Sequence, residues 1–159
     1  VRFVMYYKIF NIPVMRWIFR TAKAIPIAGA RENPELMQRA FAEIDAALAA
    51  GELVGIFPEG ALTKDGDIAK FKSGVERVLE QANKSGRPVP VVPMALRGMW
   101  ASMWSKRRAF DESSRFGRMR VPRRFRARVE VIAGAAVDGN ATDADLLEVQ
   151  VRGLRGDAA

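Results

Sequence analysis

The stretch Leu53-Val54-Gly55-Ile56-Phe57-Pro58-Glu59-Gly60 decides how the chain is read. Its first five residues form an apolar run too short for a helix, which predicts a buried strand. Pro58 ends that strand because proline has no N–H to give a neighbouring ladder, and Gly60 lets the backbone turn. Glu59 is left at the carboxyl end of the strand, the edge where open α/β sheets bind their ligands. Taken alone, a Pro-Glu-Gly turn is more often an acid exposed on a loop than a site.

On the upstream side, Asn33 is a good N-cap and Pro34 suits a first helical position. Leu36, Met37, Phe41, Ile44 and Leu48 recur at helical spacing, and Gly51 marks the end. Short strands are predicted at Val1–Met5 and over Ala24-Ile25-Pro26-Ile27-Ala28. A helix between short buried strands is the βαβ rhythm of an α/β sheet. Between the first two strands, Pro13 opens a helix containing Trp17, Ile18 and Phe19 with basic residues around them. That pattern fits core packing and fits partial contact with a membrane interface.

Downstream, Ala61 to Lys72 is a polar loop with Asp65-Gly66 as its turn. Ser73 and Glu76 have the spacing of a capping box, ahead of a helix whose Val75, Val78, Leu79 and Ala82 face inward. The start of that helix, with Lys70 and Lys72 nearby, suits a phosphate, although both lysines read equally well as solvated. Val89 to Leu96 reads as a second buried strand, interrupted by Pro90 and Pro93. Arg126 to Gly134 alternates as a half-buried strand, with Val129 and Val131 inward. Thr142 and Asp145 open a last amphipathic helix carrying Leu147, Val151 and Leu154.

Composition narrows the classes. A chain of 159 residues, 49% of them hydrophobic, suits one domain spanning 1–159 with a real core. It has neither cysteine nor histidine, so disulfides and thiolate metal sites are excluded and no metal site is expected. No apolar run reaches the ~18 residues that span a bilayer. A formal charge of +8 implies an anionic partner: nucleic acid, anionic lipid or an anionic small molecule. The excess lies in residues 106–128, where Phe110, Phe116 and Phe125 interleave with lysines and arginines. Met99, Trp100, Met103 and Trp104 precede it and are apolar enough to touch lipid.

Phe57-Pro58-Glu59-Gly60, then Thr63, Asp65-Gly66 and Phe71-Lys72-Ser73-Gly74, then Val91-Val92-Pro93 occur in the order and spacing of the glycerolipid acyltransferase family. The chain resembles that family, whose type members are 1-acylglycerol-3-phosphate acyltransferases, from about Val1 to Gly134. The resemblance implies an α/β fold with a mixed central sheet flanked by helices. It implies transfer of a fatty acyl group from acyl-CoA or acyl-carrier protein to a hydroxyl of a lysophosphatidate, lysophospholipid or glycerol phosphate. No metal or redox cofactor is implied; the thioester is a co-substrate.

Phe57, Pro58, Glu59 and Gly60 would then line the acceptor site. Lys8, which precedes a Phe-x-x-Pro segment, would help bind phosphate, as would Arg31 at the end of the family's second block. Arg31 stands farther from the preceding strand than the commonest pattern has it, and reads equally as a loop arginine. Val92, Pro93 and Met94 would wall the acyl-chain passage, though they suit an ordinary core as well. The family's first block is His-x4-Asp, its general base and orienting acid, and this chain has no histidine. The chain is therefore expected to be a fragment cut downstream of that block, with no catalytic residue of its own and little activity. On a lipid enzyme the basic stretch would hold the domain to the cytoplasmic face of a membrane as a peripheral protein. The rival reading is a non-catalytic module that binds anionic membrane or nucleic acid through residues 106–128.

Overall fold

The structure, a computed structural model, describes residues 1–11, 13–61, 66–86, 88–98 and 128–156. The chain divides into two compact units, neither continuous in sequence. The first comprises Val1–Pro58, Lys72–Pro90 and Asp138–Asp143; the second comprises Glu59–Phe71, Val91–Val137 and Ala144–Ala159.

Three parallel strands carry the first unit: β1 (Arg2–Tyr6), β2 (Ile25–Ile27) and β3 (Val54–Gly55), in the order β2-β1-β3. Val4 lies opposite Ile25 and Tyr6 opposite Ile27, while Arg2 and Phe3 lie opposite Val54 and Gly55. Parallel neighbours need crossover connections. A 3-10 helix over Tyr7–Asn11 and α1 (Pro13–Thr21) supply the first, and α2 (Pro34–Ala49) the second.

The Asn33 side chain accepts the Leu36 N–H at 2.9 Å, the N-cap its residue type predicts, and Pro34 occupies the first turn. Gly51 follows α2 with φ 73°, a conformation that side-chain-bearing residues avoid. Fully buried Ile25 and Ile44 pack with Val4, Ala40 and Val78, surrounded by Ile27, Phe41, Leu48, Val54 and Ile56. Burying each isoleucine contributes about 1.5–3 kcal/mol. Val75, Val78, Leu79 and Ala82 of α3 (Gly74–Lys84) are all buried, as their spacing predicts.

Two expectations about the first unit need correction. The run Leu53–Phe57 is half-buried rather than buried: Leu53 and Phe57 are 70% and 55% exposed. Alternate residues of a strand point to opposite faces, and Val54 and Ile56 take the one that meets the core. Ser73 stands at the N-cap of α3, but its hydroxyl makes no capping bond. With φ −62° and ψ 1° its backbone is not in the extended form from which a cap side chain reaches back.

The proline-interrupted segment forms two strands, β4 (Pro90–Val91) and β5 (Met94–Arg97), parted at Val92-Pro93 where proline has no N–H to give. In the second unit β5 pairs antiparallel with β6 (Glu130–Ala133), Ala95 opposite Ile132 and Leu96 opposite Val131. A strand the sequence reading missed, β7 (Val137–Asp138), pairs with β4. Finally α4 (Ala144–Arg155) buries Ala144 and Leu147. The inward side of β6 is the reverse of the expected one. Val131 is 62% exposed and Val129 exposed as well, whereas Ile132 is partly covered opposite buried Ala95. Side-chain period is two, so a choice of face made one residue out moves every side chain across the sheet.

Candidate functional site

From β1 the chain passes to β2 on one side, then crosses to β3 on the other. That makes the carboxyl ends of β1 and β3 a topological switch point, the crevice where open α/β sheets bind ligands. Tyr6, Tyr7 and Lys8 emerge there from β1, and Ile56, Phe57 and Pro58 from β3. Phe3 stacks on Phe57 with ring centroids 6.2 Å apart. A β-carbon at Gly55 would lie 2.7 Å from the Phe3 ring, so glycine is what lets that ring cross β3.

Lys8 is held by neighbours on three sides. Its Nζ is 2.8 Å from Oε1 of Glu32 and sits 5.6 and 5.7 Å from the ring centres of Tyr6 and Tyr7. The Tyr6 hydroxyl donates to both Glu32 oxygens, at 2.8 and 2.9 Å, and the Tyr7 hydroxyl donates to Oε1 at 3.0 Å. Bonding to Glu32, and then to Tyr6, pushes the Lys8 ammonium pKa up. Lys8, and then the Tyr6 hydroxyl, hold the Glu32 carboxyl below the usual range. Partial desolvation, and then Glu32, push the Tyr7 phenol up.

Arg31 is exposed on the turn before α2, next to Glu32. Nothing in the sequence pairs Glu32 with Lys8, 24 positions away; only the parallel register of β1 and β2 brings the two turns together. A second unforeseen residue, Arg2, donates to the Lys23 carbonyl at 2.8 Å and to Glu43, tying the start of β1 to α2.

In the second unit Glu59 serves its own loop. Its Oε2 accepts the Ala69 N–H at 2.9 Å, and Gly60 takes φ 62° to complete the turn that its residue type predicts. The far end of this loop is anchored on α4. Oε2 of Glu148 accepts the Phe71 N–H at 2.9 Å, while Arg152 and Arg155 donate to the carbonyls of Ile68 and Gly66 at 2.6 Å each. The Phe71 amide, and then Arg152, hold the Glu148 carboxyl below its ordinary pKa against the opposing effect of burial. Lys70 lies 3.6 Å from Asp145, both side chains largely exposed.

Of the residues expected to wall an acyl passage, Pro93 is buried and its carbonyl accepts the Gly134 N–H at 2.9 Å, while Val92 and Met94 are exposed. Thr63, Asp65, the aromatic residues Trp100 and Trp104, and the basic stretch up to residue 127 lie outside the described residues. Arg128, described, is paired with Glu130 at 3.1 Å. Among the described residues no group of acidic side chains has the geometry of a metal site.

A parallel βαβ core with a Pro-Glu-Gly turn after β3 and a lysine after β1 defines an α/β protein. The family model for Acyltransferase matches residues 1–97, and the chain belongs to that family. Over 97 residues it is 33% identical to 1-acyl-sn-glycerol-3-phosphate acyltransferase BAT2, chloroplastic, of Brassica napus, covering 61% of this chain and 26% of that protein. The solved 1-acyl-sn-glycerophosphate (LPA) acyltransferase PlsC of Thermotoga maritima superposes with a TM-score of 0.58 at 20% identity, covering 98% of this chain and 54% of that one. The α/β fold class is thus the family's. The chain spans about a quarter of the plant relative and about half of the bacterial structure.

Proposed function

We propose that the whole protein transfers a fatty acyl group from an acyl thioester to a hydroxyl of lysophosphatidate, a lysophospholipid or glycerol phosphate. The supporting observation is the family match over 1–97, which spans Lys8, Arg31, the Phe57-Pro58-Glu59-Gly60 turn and the Val91-Val92-Pro93 segment. In this reading the acceptor hydroxyl oxygen attacks the thioester carbonyl carbon and its proton passes to a histidine base. The carbon–sulfur bond then breaks, and the departing thiolate is protonated to the free thiol. Imidazole suits the task because its pKa lies near working pH.

None of the 159 residues is a histidine, so the base is a residue outside them. The carbon skeleton needs no metal or redox group, and acyl-CoA or acyl-carrier protein enters as co-substrate. Lys8 and Arg31 supply positive charge for the acceptor phosphate, and the Glu59 carboxylate, besides holding the turn after β3 through the Ala69 N–H, accepts a hydrogen bond from an acceptor hydroxyl. Val92, Pro93 and Met94 border the acyl chain.

The test is acyl transfer by the full-length protein from acyl-CoA to lysophosphatidate, with the thiol released as readout. Glu59→Gln should lower turnover by about an order of magnitude or more with the fold intact. Unchanged turnover would remove Glu59 from the site. The 159 residues by themselves should transfer little or nothing, and robust activity from them would overturn the assignment of the base.

The same reading places the protein peripherally on the cytoplasmic face of a membrane. Trp17, 73% exposed on α1, supports the membrane contact in that placement, because an exposed tryptophan beside basic residues is suited to the headgroup level. Among the described residues no helix is long and apolar enough to cross a membrane.

A further inference from the structure

We propose that the Tyr6 hydroxyl, the Tyr7 hydroxyl and the Lys8 ammonium form an oxyanion site, filled in this structure by the chain's own Glu32, which a phosphomonoester must displace. The inference deepens the reading above, since it concerns how that reading's phosphate would be held. Three donors from consecutive residues converge on Oε1 of Glu32, at 2.8, 2.8 and 3.0 Å. Such convergence is what an external oxyanion requires, and it stands at the carboxyl end of β1, the ligand edge of a parallel sheet.

A carboxylate is an imperfect occupant. All three donors reach Oε1, and Oε2 shares only the Tyr6 hydroxyl at 2.9 Å, whereas a phosphomonoester offers three oxygens and up to two charges to the same groups. Exchange is open sterically, because the Lys8 and Glu32 side chains are 57% and 35% exposed. Glu32 stands outside α2 on the exposed turn that Asn33 ends, so swinging its side chain away breaks no helix bond. With Glu32 removed, the cluster changes from neutral to singly positive, and Arg31 is the adjoining residue on that turn.

A built-in occupant lowers apparent affinity by the fraction of time it leaves the site open, so occupancy of nine-tenths weakens binding about tenfold. Calorimetric titration of the 159-residue chain with glycerol 3-phosphate, and with glycerol as the uncharged control, tests this directly. Glu32→Gln should tighten glycerol 3-phosphate binding by about tenfold and leave glycerol unaffected. Adding Lys8→Met to Glu32→Gln should abolish the gain, and Glu32→Asp, one methylene shorter, should fall between parent and Gln.

Unchanged or weaker binding in Glu32→Gln would overturn the proposal, as would a gain that survives Lys8→Met. Should Glu32→Gln fail to keep its circular-dichroism melt, Glu32→Asp carries the test alone, and binding no tighter than the parent's overturns the proposal. Failure here leaves acyl transfer by the full-length protein untouched. Loss of transfer with phosphate binding intact would instead condemn the reading it rests on.

Discussion

Single residues at the two loops set what pH and mutation will do. Glu148 has a folded pKa below its ordinary value of about 4.3. Its contribution is therefore fully present above that value and is lost as pH falls through the folded pKa. An NMR titration should show the Phe71 amide resonance moving below pH ~4.3, and Glu148→Gln should remove that movement. A Phe71 amide that titrates identically in the variant would disprove the anchor. The Lys8–Glu32 pair has both shifts favouring its charged form, so it stays intact between roughly pH 4.3 and 10.4. Glu59 has a plainer role in stability. Glu59→Ala loses the acceptor of the Ala69 N–H and should cost about 1 kcal/mol, or ~2–4 °C in Tm. Glu59→Gln keeps an acceptor oxygen and should melt close to the parent, so an equal loss in both variants would refute the brace.

Among the elements, the β5–β6 ribbon and α4 offer two glycines of opposite consequence. Gly98 follows β5 with φ 79°, and a β-carbon there would fall on the Arg128 carbonyl oxygen. Gly98→Ala thus adds backbone strain to a clash with the backbone just ahead of β6 and should cost about 2 kcal/mol or more in denaturant melts. Gly153 lies inside α4 with open space around its missing side chain. Gly153→Ala should therefore stabilise by about 0.5–1 kcal/mol, the ordinary gain from helix propensity. The reverse ranking of the two would contradict the placement of both. Arg97 gives α4 its end: its Nε and Nη2 donate to the carbonyls of Arg155 and Leu154 at 2.7 and 2.6 Å. Two parallel N–H groups from one planar head suit two terminal carbonyls, which lysine does not reproduce.

For the molecule as a whole, charge is the feature that reaches outside it. With +8 overall and Trp17 exposed, the chain should co-sediment with vesicles containing anionic lipid and release from them as salt rises. Equal binding to zwitterionic vesicles, or preference for a single-stranded oligonucleotide over the anionic vesicles, would count against a lipid-facing role. Much of this molecule was legible in advance. Asn33-Pro34 and Gly51 bound α2, the spacing of Val75, Val78, Leu79 and Ala82 fixed the buried face of α3, and Pro90 and Pro93 forecast a broken strand. The turn at Glu59-Gly60 was equally plain.

By itself, then, the sequence determined what is local: caps, breakers, helical periods, and the motif order that resembles an acyltransferase. Each depends on a residue and its neighbours within a turn or two, where chain geometry is fixed by residue type. Only the tertiary structure decided which side of β6 faces inward, because a two-residue period is compatible with either face until α4 supplies the cover. It also decided the partner of Lys8: Glu32 is remote in sequence and meets it through the pairing of β1 with β2. Charges find partners through space, and the chain's path through space is not written in the spacing of its charged residues.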